Sequence, residues 1–173
     1  MTIHTAIKLP AQNLGPKAFA PYGEIIRPRT SSAETAVEEP KLTLTNGTPR
    51  LWIMDLRRRG LVFADMARHR RVSQCLGSMQ GKEWFIGVAP PNDLADGIRP
   101  ELERIAAFRI PGDCLIKLHV GTWHAARTSS MTSACFSIWK ISTPTSETST
   151  RPTCPTNIKF KHSGADARVS HSC

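Results

Sequence analysis

Long hydrophobic runs are missing from this sequence. No apolar stretch in its 173 residues approaches the roughly 18–20 residues of a membrane-spanning helix. The start, MTIHTAIKLPAQ, lacks the basic lead and apolar run of a secretory signal, and the end, SHSC, carries no peroxisomal or retention signal. The expected location is therefore the cytoplasm, with no membrane partner. There is no Cys-x-x-Cys: Cys75, Cys114, Cys135, Cys154 and Cys173 are odd in number and widely spaced. In a chain without an export signal they read as free thiols, neither a disulfide framework nor a zinc site. There is also no GxGxxG, no P-loop, no internal repeat and no His-x-His. Tyrosine occurs once, as Tyr22.

Acids are scarce too, 14 against 23 Lys and Arg, for a net charge of +9. Part of that charge is clustered at Arg57–Arg59, Arg68, Arg70 and Arg71. No helix-turn-helix, zinc finger or aromatic interleaving accompanies it. Nucleic acid is therefore not the expected partner. The cluster reads as a solvated or anion-facing set, and guanidinium groups of this kind suit a small carboxylate ligand.

What remains is a soluble composition, 40% hydrophobic and 21% charged, long enough for one sizeable core. GPKAFAPYGEII predicts a helical turn around Pro16–Phe19 and a strand from Glu24 to Ile26. KLTLT alternates and leads to an Asn46-Gly47 turn, so it reads as a strand, followed by another in PRLWIMDL. LVFADMARH is open between strand and helix, with strand favoured. KEWFIGVAP predicts a strand with Trp84, Ile86 and Val88 on one face. IRPELERIAAFRI opens as a turn or short helix and ends as a strand. A turn at Pro111-Gly112-Asp113 then leads into CLIKLHV. There, Ile116, Leu118 and Val120 share one face, and Leu115, Lys117 and His119 the other. Short strands every 10–15 residues or so, with Gly/Pro turns between them, point to an all-β jelly roll or barrel with a few short helices.

The same strand leads into IKLHVGTWHAA, where His119 and His124 flank a glycine and stand beside Trp123. A turn holding polar residues would explain the pair, and so would a buried pocket.

Four segments, in order, resemble the ureidoglycolate lyase family, cupin-type jelly rolls of allantoin and purine breakdown. They are AFAPYGEII (Ala18–Ile26), ARHRRVSQCLGSM (Ala67–Met79), EWFIGVAPPND (Glu83–Asp93) and AFRIPGDCLIKLHVGTWHAA, which closes on Gly-x-Trp-His. The resemblance spans about Ile7 to Ala126. It departs where the family's glutamate before Arg-His is replaced by Ala67. It implies a cytoplasmic homodimer that converts ureidoglycolate to glyoxylate and urea, a carbon–nitrogen (amidine) lyase. Such cleavage needs a base for the hydroxyl proton, an acid for the departing nitrogen and a fixed hold on the carboxylate. His124, His119 and Lys117 are the candidate catalytic residues, and Gln74, Ser73, Tyr22 and Trp123 would bind substrate. A divalent metal, Ni, Zn or Mn, would be held by His69, Gln74 and His124. Lys117 is equally a solvated lysine, Trp123 a core residue and Ser73 a strand partner. A cupin that binds a small ureido or carboxylate ligand without turnover is the alternative.

The chain changes character after Ala126. Arg127–Cys173 holds 18 Ser and Thr, two acids and three of the cysteines in 47 residues. That composition buries little, and partial disorder is expected. Cys135–Ile141 is its one piece apolar enough for a strand. A shifted reading frame would explain the change, because permitted codons from Ala134 onward, read with two bases dropped, encode an acidic, alternating segment similar to the family's own. The division expected is therefore a cupin-like domain over 1–126 and an atypical tail over 127–173.

Overall fold

The computed structural model describes residues 7–28, 40–44, 48–56, 60–127, 134–142, 149–150 and 153–161. Its strands are β1 (Ile7–Asn13), β2 (Gly23–Ile26), β3 (Thr48–Leu56), β4 (Val62–Asp65), β5 (Arg68–His69), β6 (Gln74–Ser78), β7 (Gly81–Ala89), β8 (Ala106–Gly112), β9 (Leu115–Leu118), β10 (Trp123–Arg127), β11 (Ala134–Ser142), β12 (Ser149–Thr150) and β13 (Thr153–Lys161). One helical turn, α1 (Pro16–Phe19), follows β1. Among the described residues, six strands form one sheet in the order β10-β7-β8-β1-β13-β4, and five form a second in the order β2-β9-β6-β11-β3. The fold is an all-β jelly-roll sandwich.

Alternation in the sequence decides which side chains lie between the sheets. From the six-stranded sheet, Trp84, Ile86 and Val88 of β7 meet Phe108 and Ile110 of β8. From the other sheet come Leu76 of β6 with Ile116 and Leu118 of β9. Phe19 of α1 is completely buried in this cluster and meets the Phe108 ring edge-on at 5.2 Å. Residues of the opposite register, Phe85 and Ala89 of β7 and Trp123 and Ala125 of β10, form a second cluster with Phe63, Met66 and Ile158. Strand β7 is therefore buried on both faces from Trp84 to Ala89, which accounts for its nearly continuous apolar run.

Several local expectations need correction. Residues 40–44 form no strand. Instead the Ser73 hydroxyl accepts from the Thr43 N–H at 2.8 Å, and the Ser73 N–H donates to the Thr43 carbonyl at 3.2 Å. A side chain thus supplies a partner that a neighbouring strand would otherwise give. Strand β9 stops at Leu118, because Val120 and Gly121 form a turn with Gly121 at φ +85°. Pro111 and Gly112 stay within β8, and the turn falls at Asp113. The alternating strands did not reveal β1, which carries Pro10. It pairs in parallel with β13 through Pro10 and with β8 from Ala11 onward. Proline sits where the strand changes partner, where a missing N–H costs the ladder least. The Asn46-Gly47 turn and Arg57–Arg59 lie outside the described residues.

The segment after Ala126 enters both sheets. Position 126 itself falls inside β10. Strand β11 pairs antiparallel with both β3 and β6. Strand β13 lies between β1 and β4, and its Ile158 is 1% exposed in the second cluster. For the rest of the tail, the expectation of partial disorder lies outside the described residues.

On the outer face of the five-stranded sheet, Glu24, Lys117 and Cys75 stand side by side in register. Lys117 is buried, and its Nζ donates to Glu24 Oε1 at 2.6 Å. Cys75 and Cys114 are free, buried thiols. Burial pushes the Cys75 thiol up from 9.0 to about 11, against the opposing pull of Lys117.

Two predictions follow from this packing. A methyl added at Gly23 would overlap the Lys117 carbonyl oxygen of the paired strand, whereas one at Gly15 meets nothing within 4 Å. Gly23→Ala should cost about 3 kcal/mol in urea unfolding, and Gly15→Ala well under about 1 kcal/mol. A thiol whose pKa is raised by folding stays protonated in the native state after the unfolded chain has ionised. Its contribution is thus intact below 9.0 and is lost as pH climbs to about 11. Unfolding measured across that window should show stability falling, with a shallower fall in Cys75→Ala. An unchanged slope in the variant would locate the effect elsewhere.

Candidate functional site

The site is built where β5 meets β10. The Ala67 N–H donates to the His124 carbonyl at 2.9 Å, and the His124 N–H returns a bond to Ala67 at 2.7 Å. This antiparallel bridge sets the faces of both strands. Trp123 and Ala125 turn to the second apolar cluster, while His124 and Ala126 turn to the space between the sheets, Ala126 against the first cluster. Continuing the register puts His69 diagonally across from His124 on that inner side. Their rings lie 5.5 Å apart, tilted by 39°, and both residues are buried. The His69 carbonyl accepts from the Gly121 N–H at 2.7 Å. His124 Nδ1 lies 3.2 Å from the Thr122 carbonyl. A carbonyl can only accept, so Nδ1 carries the proton in this contact.

Arg68 occupies the other face of the same bridge. It was expected among the solvated or anion-facing arginines, but it is 0% exposed. Its guanidinium lies 4.3 Å above the Trp123 ring. Nη1 donates to Asn92 Oδ1 at 3.1 Å and to the Asp93 carbonyl at 2.7 Å, and Nη2 donates to the Ala95 carbonyl at 2.7 Å. Asn92 Oδ1 also accepts from Trp123 Nε1 at 2.9 Å. Desolvation lowers the Arg68 pKa and Arg70 adds to this, while Asp93 and Asp96 act the other way. A rigid planar fork with five donors can satisfy several carbonyls that flexible lysine could not.

Gln74 stands at the start of β6, in register with Leu118 and on the inner face with Leu76. Its Oε1 is buried and has no hydrogen-bond partner. A buried amide oxygen in that state points to a bound group that would satisfy it. The turn joining β9 to β10 is tied down next to it. The Tyr22 carbonyl accepts from the His119 N–H at 3.0 Å and from Thr122 Oγ1 at 2.9 Å. The Tyr22 ring packs on Phe19 and Phe108, and burial raises its phenol pKa, opposed by Arg104.

The remaining candidates are engaged elsewhere. The His119 ring nitrogen lies 3.2 Å from the Ala20 carbonyl. Lys117 projects from the outer face of its sheet toward Glu24, the face opposite Ile116 and Leu118, and does not share a strand face with His119. The Ser73 hydroxyl is held by the Thr43 backbone. Trp123 lies on the Arg68 side. So the structure joins His69 and His124, with Gln74 on the same inner side, and takes Lys117, Ser73 and Trp123 away from them. Reasoning from the sequence missed Arg68, Asn92 and Thr122. The Pro-Pro-Asn-Asp segment had entered only as the end of the Glu83–Asp93 stretch that resembles the family.

The donors available to a metal are two imidazoles and one neutral amide oxygen. Among the described residues no three His, Cys, Asp or Glu side chains converge. Ala67 stands opposite His124, where no carboxylate can come from that position. This set is thin for a Zn or Ni centre, which takes three firm protein donors at least.

No curated protein matches this chain. Among solved structures, vicilin from Solanum lycopersicum (tomato) is similar with a TM-score of 0.41 and 13% identity, over 76% of this chain and 32% of the vicilin chain. No helix among the described residues is long and apolar enough to cross a membrane. Residues 34–150, most of the chain including β11 and β12, match the family model described as Ureidoglycolate lyase, and the chain belongs to that family.

Proposed function

We propose that this protein is a ureidoglycolate lyase, cleaving ureidoglycolate to glyoxylate and urea, and that the buried His69–His124 pair supplies the proton transfers. The observation that carries the reading is that pair, 5.5 Å between rings, within a family of lyases. In ureidoglycolate one carbon bears a hydroxyl, a carboxylate and a urea nitrogen. His124 Nε2 takes the hydroxyl proton as the carbonyl of glyoxylate forms. The carbon–nitrogen bond breaks, and the leaving nitrogen takes a proton from His69. One imidazole gains the proton that the other loses, and exchange between them resets the site. Gln74 Oε1 accepts from a ureido N–H, which satisfies its vacant acceptor. Holding substrate against two fixed, buried imidazoles removes much of the orientational cost of the reaction.

Ala67 favours a second reading. Its methyl faces His124 where the similar family motif has glutamate, so the pocket has one ionisable group fewer for turnover. A protein of this kind would bind a small ureido or carboxylate ligand and leave it intact. The family resemblance also leads us to place the protein in the cytoplasm as a homodimer, which sedimentation would show directly.

Urea release from ureidoglycolate tests the main reading. His124→Ala and His69→Ala should each lower kcat by about 10²–10⁴ while the far-UV spectrum stays unchanged. Gln74→Ala should raise KM more than it lowers kcat. Ligand-dependent thermal stabilisation with no urea formed would establish the binding reading instead. Loading with Ni, Zn or Mn followed by dialysis addresses the metal separately. One retained equivalent, lost in His69→Ala, would assign the pair to metal binding.

A further inference from the structure

The histidine pair is carried by the short strand β5 and by β10, which pairs with β7 along its whole length. Strand β5 has two residues, Arg68 and His69. Its partner β12 is also two residues long, pairing Ser149 with His69 and Thr150 with Arg68. Toward β10, two backbone bonds join Ala67 to His124, and the Gly121 N–H donates to the His69 carbonyl at 2.7 Å. Each histidine is, however, the chain neighbour of a residue in the stacked pair on the other face: Arg68 precedes His69, and Trp123 precedes His124. The guanidinium over the indole at 4.3 Å is therefore a side-chain tie between the two histidine-bearing strands, added to their backbone bonds on the face away from the rings.

Asn92 makes the stack specific. A single oxygen, Oδ1, accepts from Arg68 Nη1 at 3.1 Å and from Trp123 Nε1 at 2.9 Å, so it fixes both partners at once. Asn92 Nδ2 donates to the Arg99 carbonyl at 2.8 Å, which orients the amide. The Asp93 and Ala95 carbonyls complete the cradle for the guanidinium. Arg70 extends the attachment, with Nη1 donating to the Leu94 carbonyl at 3.1 Å and paired to Asp96 at 2.7 Å. The loop after β7 is thus stitched to β5 and β10 together.

We infer that Arg68, Asn92 and Trp123 form a positioning clamp that sets the spacing of the His69 and His124 rings from the far side of their strands. None of the three touches substrate. The catalytic consequence rests on the lyase reading above, but the ring spacing does not. A misplacement of about 1 Å at reacting groups costs on the order of a hundredfold in rate.

The test uses three full-length variants and two readouts. Asn92→Leu removes the shared acceptor, Asn92→Asp restores it, and Arg68→Lys keeps the charge without the fork. The activity-independent readout is the NMR cross-peak between the His69 and His124 ring protons. It should be lost or weakened in Asn92→Leu and Arg68→Lys and recovered in Asn92→Asp. In urea-release assays the first two should lower kcat by about ten- to a hundredfold with KM within about twofold, and Asn92→Asp should regain most of it. Should Arg68→Lys fail to fold, the two Asn92 variants decide alone. A folded Asn92→Leu that keeps the wild-type cross-peak overturns the clamp, as does a loss that Asn92→Asp leaves unrepaired. Wild-type protein that releases no urea but shows the expected cross-peak changes would sink the lyase reading and leave the clamp standing.

Discussion

A pair of reciprocal backbone hydrogen bonds between Ala67 and His124 is the constraint on which the site depends. The bridge fixes an antiparallel register, and side-chain alternation does the rest. Shifting that register by one residue would exchange the faces. Either Arg68 or Trp123 would then turn inward, and one of the two imidazoles would be pressed into the apolar cluster that holds Phe63, Met66 and Phe85. The histidines owe their inner position to a backbone contact that neither ring makes.

The second constraint is the cost of burying a cation. Arg68 is fully enclosed, and its ion-pairing options are backbone carbonyls, an amide oxygen and an aromatic face. The bonded Nη1 and Nη2 offset much of the cost of burying the guanidinium, Nε being buried without a partner, and stacking on a desolvated indole contributes about 2 kcal/mol. The loop that provides these acceptors is thereby drawn against β5 and β10. Lys117 shows the contrasting solution on the other sheet. Its ammonium runs outward to the half-exposed Glu24 carboxylate, leaving the inner face to Ile116 and Leu118.

These two arrangements explain why the site is smaller than the motifs imply. His119, Lys117 and Trp123 are close in sequence to His124, yet each serves a different part of the fold. His119 caps a turn near Ala20, Lys117 pairs across β2 and β9, and Trp123 stacks on Arg68. His69, more than fifty residues away in sequence, is the residue whose ring reaches His124. The tail is the larger surprise. Its polar composition predicts little burial beyond the strand expected at Cys135–Ile141, which β11 realises, whereas β13, inside the other sheet, was not expected. Sheet hydrogen bonds are made by backbone groups, so a largely polar strand such as β13 can fill a gap between neighbours that pattern alone would not assign to it.

The sequence by itself determined the strand class, the inward faces of β7 and β9, the helical turn at Pro16–Phe19 and the family, since each is local or carried by contiguous motifs. Alternation at period two is visible in one dimension, and so is a Gly/Pro turn. Only the tertiary structure decided which polar residues meet. Whether Arg68 is solvated or buried depends on acceptors at Asn92, Asp93 and Ala95, more than twenty residues on, which no local pattern reveals. The parallel pairing of β1 was hidden for the same reason, because its partners, β8 and β13, lie far along the chain. Side-chain chemistry is written in the sequence, but the pairing of strands distant in the chain sets which chemistries share a pocket.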